Sequence, residues 1–368
     1  MFSDKKPVKK LKYNKNKKSR ADVLEQKLFK IVFAAFVLIL AFVGIHLFLN
    51  RELIATNTSH YMTLTQAEKG TKDMYGATKD AAGNVTNLNN LRGISCYGDS
   101  YTNAPDDATS SYPGVLSYLA QRTVYNIAVD NDSIFETAAR QGGSPAYVSP
   151  FVIPANKSST EVLVSDKDGR AINFDYSKNG GLNPCSINGV EGLLSVIDGR
   201  YVFTRTESGD ETLVLTPAEV KSRAMLQRMD DVSVFFVGDD AIFKTPEKAV
   251  EIYKKMADSL NEKDRAFIVV GPIKGEVAVL EAANKALAEA FGDNFFNLRQ
   301  YLLTDAAEDI KITLSEDDRV LAQNGIIPYV YFSNNKYFSA EGADAAAFAI
   351  YNKLNELNYL TDGENEQK

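Results

Sequence analysis

The run Gly98-Asp99-Ser100-Tyr101-Thr102 closes a short apolar stretch and is where this chain could present a nucleophile. A serine on a strand-to-helix turn holds its hydroxyl clear of the sheet, with backbone N–H groups nearby for an oxyanion. That hydroxyl needs a neighbouring base whose pKa lies near the working pH. The chain has two histidines, His46 and His60, and none beyond them. A Ser-His-Asp triad, a His-rich zinc site and imidazole acid–base chemistry are therefore excluded after residue 60. Carboxylates remain. Asp99, Asp130, Asp132, Asp239 and Asp240 all belong to loops expected at one sheet edge. Such a cluster could take Ca²⁺ or Mg²⁺ through oxygen, or lend Ser100 a carboxylate base. The plainer reading makes most of them solvated or capping residues of an acidic surface, and no metal or other cofactor is assigned. Cys96 and Cys185 have no metal-site spacing; a disulfide and two buried thiols both stay open.

A sheet must carry these loops. Residues 91–97 read as a strand, as do 124–129, 232–237, 266–270 and 295–298. Helices are expected over 112–121, 133–140, 246–260, 277–291 and 341–357. Leu280, Leu287 and Phe291 share one helical face, as do Ile350, Leu354 and Leu357. Gly142-Gly143 is a helix stop, and Arg140 just before it reads as closing that terminus. Strands alternating with helices imply an α/β domain with a doubly wound parallel sheet, its ligand lying beyond the carboxyl ends of the strands. Residues 147–216 differ: short alternating apolar runs are punctuated by Asn-Gly, Asp-Gly and Gly-Gly pairs, the pattern of a small all-β insertion. Most of the 18 Tyr and 20 Phe should be core; a few in the insertion could stack on sugar.

The charge is unevenly spread over the 368 residues. Residues 1–30 hold eleven Lys/Arg against three acids, whereas the rest carries 30 basic and 45 acidic residues. A basic tail is fused to an acidic body. Residues 31–49 then run nineteen positions without a charge, long enough to cross a bilayer as a helix. The lysines before the span place the N-terminus in the cytoplasm and the body outside. A cleaved signal peptide would have a shorter apolar region and a small-residue cleavage site, so an uncleaved anchor is the preferred reading. Residues 50–88 read as a polar stalk with room for one helix. The basic tail is assigned to topology and anionic lipid, not to nucleic acid.

Several segments in order carry a resemblance. Residues 94–102 resemble the first block of the SGNH (GDSL-type) hydrolase superfamily, with Ser100 at the nucleophile position. Tyr125-Asn126-Ile127-Ala128-Val129-Asp130-Asn131-Asp132-Ser133 resembles its second block. Ala138-Ala139-Arg140-Gln141-Gly142-Gly143 follows at the expected place. Phe235-Phe236-Val237-Gly238-Asp239-Asp240 resembles the third block, and Phe338-Ser339-Ala340-Glu341-Gly342 the stretch after the catalytic histidine. Asn183-Pro184-Cys185-Ser186-Ile187 and Tyr201-Val202-Phe203-Thr204-Arg205 resemble an insertion carried by a bacterial subgroup. The resemblance implies an SGNH/flavodoxin-like three-layer sandwich. It divides the chain into a basic tail (1–30), an anchor (31–49), a stalk (50–88), SGNH-like parts at 89–146 and 217–360 around the insertion, and a polar tail (361–368).

The functional letters depart from that pattern. The family's oxyanion-hole Gly falls on Asn131 and its oxyanion-hole Asn on Asp240. Its terminal Asp and His fall on Asn334 and Tyr337. Tyrosine, with a reference pKa near 10, donates a proton at neutral pH. An aspartate where the oxyanion forms adds repulsion to a lost donor that alone is worth about 3–4 kcal/mol. The expectation is an extracytoplasmic, single-span membrane protein of SGNH-like fold that has lost hydrolase chemistry. It would bind or scaffold at the bacterial cell envelope, with glycan as ligand. Two other readings stay open: an active esterase or deacetylase on acylated envelope polysaccharide, using Ser100 with a base other than histidine, and a structural partner in an envelope protein complex.

Overall fold

The computed structural model describes residues 77–79, 85–87, 92–104, 111–174, 181–334 and 336–361. All of them belong to one compact unit, His60–Lys368. The expected anchor at 31–49 lies outside the described residues. Among those described, no helix is long and apolar enough to cross a membrane. Within the expected stalk, Ala77–Lys79 and Val85–Asn87 pair as antiparallel strands.

Five parallel strands form the central sheet: β1 (Ile94–Gly98), β2 (Val124–Asn126), β3 (Val232–Phe236), β4 (Phe267–Val270) and β5 (Phe295–Phe296). Their order is β5-β4-β3-β1-β2. The register of β1 with β3 runs from Ile94 opposite Val232 to Gly98 opposite Phe236. Every residue of β1 and β3 is buried, as a parallel sheet covered on both faces requires. Alternate residues then feed two cores. Ile94, Cys96, Val234 and Phe236 pack with helices Tyr112–Ala120 and Ala340–Glu356. Tyr97, Phe235 and Val269 pack on the other face with Ile134–Gln141, Pro246–Ser259 and Val277–Phe291. Alanines 343, 345, 346, 347 and 349 are all buried, giving Ala340–Glu356 a small-residue face for close packing.

Two local expectations change. The strand expected at 295–298 stops at Phe296, because Asn297 caps a new helix, Leu298–Thr304, by accepting from Gln300 N at 3.0 Å. The strand expected at 124–129 stops at Asn126, whose side chain turns to bind the first loop instead of continuing the ladder.

Between β2 and β3 lies a separate antiparallel sheet of seven strands, from Tyr147–Val148 to Ala218–Lys221, with its own core around Val148, Ile187, Leu194, Phe203 and Val220. Its last strand lies beyond the 147–216 span read from the sequence. The strand Val190–Ile197 meets Arg200–Arg205 across Asp198-Gly199, both at positive φ. Those are the backbone angles of a two-residue hairpin turn, which Asp-Gly supplies at little cost. Cys96 and Cys185 are free and buried, burial pushing each thiol up to about 12, which answers the open disulfide question.

Gly98 ends β1 where no side chain fits. A Cβ there would lie 1.9 Å from the Phe236 carbonyl oxygen and 2.5 Å from Thr102 Oγ1. Gly98→Ala is therefore expected to force β1 and β3 apart and cost at least about 1–3 kcal/mol. A urea unfolding midpoint equal to the parent's would refute that.

Candidate functional site

In a sheet of order β5-β4-β3-β1-β2 the connections leave β1 and β3 in opposite directions, which opens a crevice beyond their carboxyl ends. The loop after β1 carries Asp99 and Ser100; the loop after β3 carries Gly238, Asp239 and Asp240. Asp99 joins them. Its Oδ2 accepts from Gly238 N at 2.9 Å and Asp239 N at 3.0 Å, and its Oδ1 accepts from Tyr101 N, capping the single turn Ser100–Asn103. Burial raises this carboxyl to about 7, although the three N–H donors pull the other way. From the far side, Asn126 Nδ2 donates to the carbonyls of Thr102 and Asn103. The turn bearing Ser100 is thus held from both neighbouring strands.

Ser100 is 5 % exposed. Its Oγ accepts from Asn131 N at 2.9 Å. Asn131 adopts φ +62°, a left-handed conformation that asparagine tolerates better than most residues. Asp130 gathers three donors: Tyr337 Oη at 2.7 Å, Lys336 Nζ at 2.7 Å and Asn131 Nδ2 at 2.8 Å. Partial burial raises the Asp130 carboxyl, but the bonds from Lys336 and Tyr337, with the Lys336 charge, outweigh it. The group is held below its ordinary value. The hydrogen bond to Asp130 raises Lys336 in turn, and burial followed by the Asp130 bond raises Tyr337. At neutral pH the cluster is one carboxylate surrounded by protonated donors.

Lys336 and Tyr337 reach Asp130 from a tight loop. Phe332 and Phe338 form a β-bridge and stack at 5.9 Å between ring centroids, and both meet the Tyr101 ring edge-on, at 6.1 and 5.4 Å. Tyr101 follows Ser100 directly, so the same aromatic cluster fixes both halves of the site. Asn334, expected from the resemblance at the position of an orienting acid, does not orient the Tyr337 hydroxyl. Its Oδ1 accepts from the backbone N–H of Lys336 and Tyr337, at 2.8 and 3.1 Å, and shapes the loop.

Asp240 is spent elsewhere too. Its Oδ2 accepts from Ile134 N at 2.8 Å and its Oδ1 from Ile242 N at 2.9 Å, so it caps two short turns. Asp132 pairs with Arg140, Nε to Oδ2 at 2.9 Å and Nη2 to Oδ1 at 3.1 Å, with both side chains almost fully buried. Arg140 does stand in the last turn of its helix, but as half of a buried ion pair. Burial raises Asp239, helped by Asp240 and opposed by Lys274. Asp99, Asp130, Asp132 and Asp240 each have a separate task, and among the described residues no three metal-ligating side chains are grouped.

No family model matches this chain, and no curated protein matches it. Its chemistry must be read from the site itself. Ser100, Asn131 and Tyr337 are brought together; Asp240 and Asn334 serve the backbone. Asp130, read in the sequence only as one of five loop acids, is the hub. Lys336 was not singled out at all, and its signal was a lone cation beside Tyr337 in a segment set opposite acidic loops.

Proposed function

We propose that this chain is a membrane-anchored, extracytoplasmic protein of SGNH-hydrolase fold whose hydrolytic chemistry is lost. It serves as a binding or scaffold module at the bacterial cell envelope, with glycan as ligand. The parallel sheet with Ser100 at its crevice supports the fold reading. The observation that carries the functional reading is the state of Asp130. A carboxylate offers about four lone-pair sites, and Asp130 already accepts from Tyr337, Lys336 and Asn131. By reference values alone, a carboxylate takes a proton about 3.5 kcal/mol less readily than an imidazole, and these donors weaken Asp130 further. The Asn131 N–H, at the oxyanion position, is engaged with Ser100 Oγ. The carboxylate next to Ser100 is too weak a base, and too well satisfied, to drive acyl transfer.

A second reading has one observation in its favour. Asp130 directly precedes Asn131, whose N–H donates to Ser100 Oγ, which keeps a carboxylate next to the serine, so an esterase using Asp130 as base is the competitor. The full-length protein in detergent should show no labelling by a serine-directed fluorophosphonate, and no acetyl-ester hydrolysis above that of Ser100→Ala. Labelling that is lost in both Ser100→Ala and Asp130→Asn would overturn the proposal and establish the esterase. Such activity would also persist well below pH 6, because Asp130 stays ionised there.

A further inference from the structure

Beside the Ser100 loop lies a cavity of about 440 Å³ that the reading above does not use. Tyr101, Phe332 and Asn334 form the wall it shares with that loop. Much of its remaining surface is apolar, from Ile273, Val277, Leu280 and Ile327. Among the described residues that line it are two cations, Lys274 and Arg299, and no acidic residue.

Arg299 is the unusual member. It is only 7 % exposed, yet its guanidinium meets no carboxylate among the described residues. Its one hydrogen bond there is from Nη2 to the Gly325 carbonyl, at 2.5 Å. The head lies at the cavity surface, since Gly325 and Val277 both line the cavity and Nη2 is 3.3 Å from where a Gly325 Cβ would stand. Arginine does not lose its proton in a protein, and a buried charge left with a single neutral acceptor is costly. Five donors on a planar fork match a carboxylate, which can take two of them side by side. The volume is that of a small-molecule site, and an apolar enclosure with few placed polar groups is how such sites are built.

We infer that this cavity binds a small monocarboxylate with an apolar body, an acyl or aryl carboxylate, its charge on Arg299 and its body between Val277, Leu280 and Phe332. The inference goes beyond the reading of Ser100 and stands without it. Phenylbutyrate and its neutral amide are a matched pair of probes, read by isothermal titration on the full-length protein in detergent. Phenylbutyrate should bind at least 10-fold more tightly than phenylbutyramide, and Arg299→Met should erase the difference while Arg299→Lys keeps part of it. Val277→Trp, at a half-exposed helix start, should block both probes without touching the charge, and keeps the test decisive if Arg299→Met fails to fold. Equal binding of acid and amide, no binding of either, or unchanged binding in Val277→Trp would overturn the inference. Full displacement by inorganic sulfate would overturn it as well, by reducing the site to a simple anion hole.

Discussion

Asp132→Ala should destabilise the fold by about 3–5 kcal/mol, the cost of leaving a buried guanidinium without its partner. Asp132 and Arg140 make a two-bond pair, the Arg140 guanidinium also stacks 5.2 Å over the Phe174 ring, and both side chains are almost fully buried. The double variant Asp132→Ala/Arg140→Met should recover much of the loss, because it removes both charges together. Guanidinium melts followed by far-UV circular dichroism measure both. A single variant within 1 kcal/mol of the parent would mean that the pair contributes little. The effect also reaches the site: Asp132 follows Asn131 and Asp130, and its anchorage keeps those two residues facing Ser100.

The second large effect is a dependence on pH. In the folded protein burial keeps Asp99 protonated up to about pH 7, whereas an unperturbed aspartate in the unfolded chain releases its proton near 3.8. Between those values the folded state holds a proton that the unfolded state has lost, so stability must fall as pH rises from about 4 to 7. Three pK units correspond to at most about 4 kcal/mol. Asp99→Asn cannot ionise, so subtracting its stability profile from the parent's should isolate this slope. A flat difference curve, or one rising with pH, would show that the three N–H donors of Gly238, Asp239 and Tyr101 prevail over burial.

Much of the framework could be read in the sequence because it rests on local patterning. β1 and β3 are mostly apolar runs interrupted by a single serine each, Val277–Phe291 repeats at helical spacing, and Asn188-Gly189 and Asp198-Gly199 form two-residue hairpin turns at positive φ. Ser100 was legible because a strand-to-helix turn is a local feature. Its partners were not. Lys336 and Tyr337 lie 206 and 207 positions from Asp130 along the chain, and no local rule says which loop acid they will meet. Asn334 misled for the opposite reason: the resemblance places it where an orienting acid would stand, but asparagine serves equally well to bind backbone N–H groups in a tight loop. Arg299 gave no signal, since its significance lies in the absence of a carboxylate around it.

The antiparallel insertion has a kinetic consequence. Val148 pairs with Ala218 and Tyr147 with Glu219, so the entry and exit of the insertion sit side by side. Ser95 and Asp231, bonded at the base of β1 and β3, are separated by 136 residues, about half of which lie inside that closed excursion. Once the insertion has folded, the loop that β1 and β3 must close is effectively halved, which saves about 0.6 kcal/mol of closure entropy. The insertion thus lengthens the chain while shortening the search: folded first, it acts as a clasp that brings the two central strands within reach.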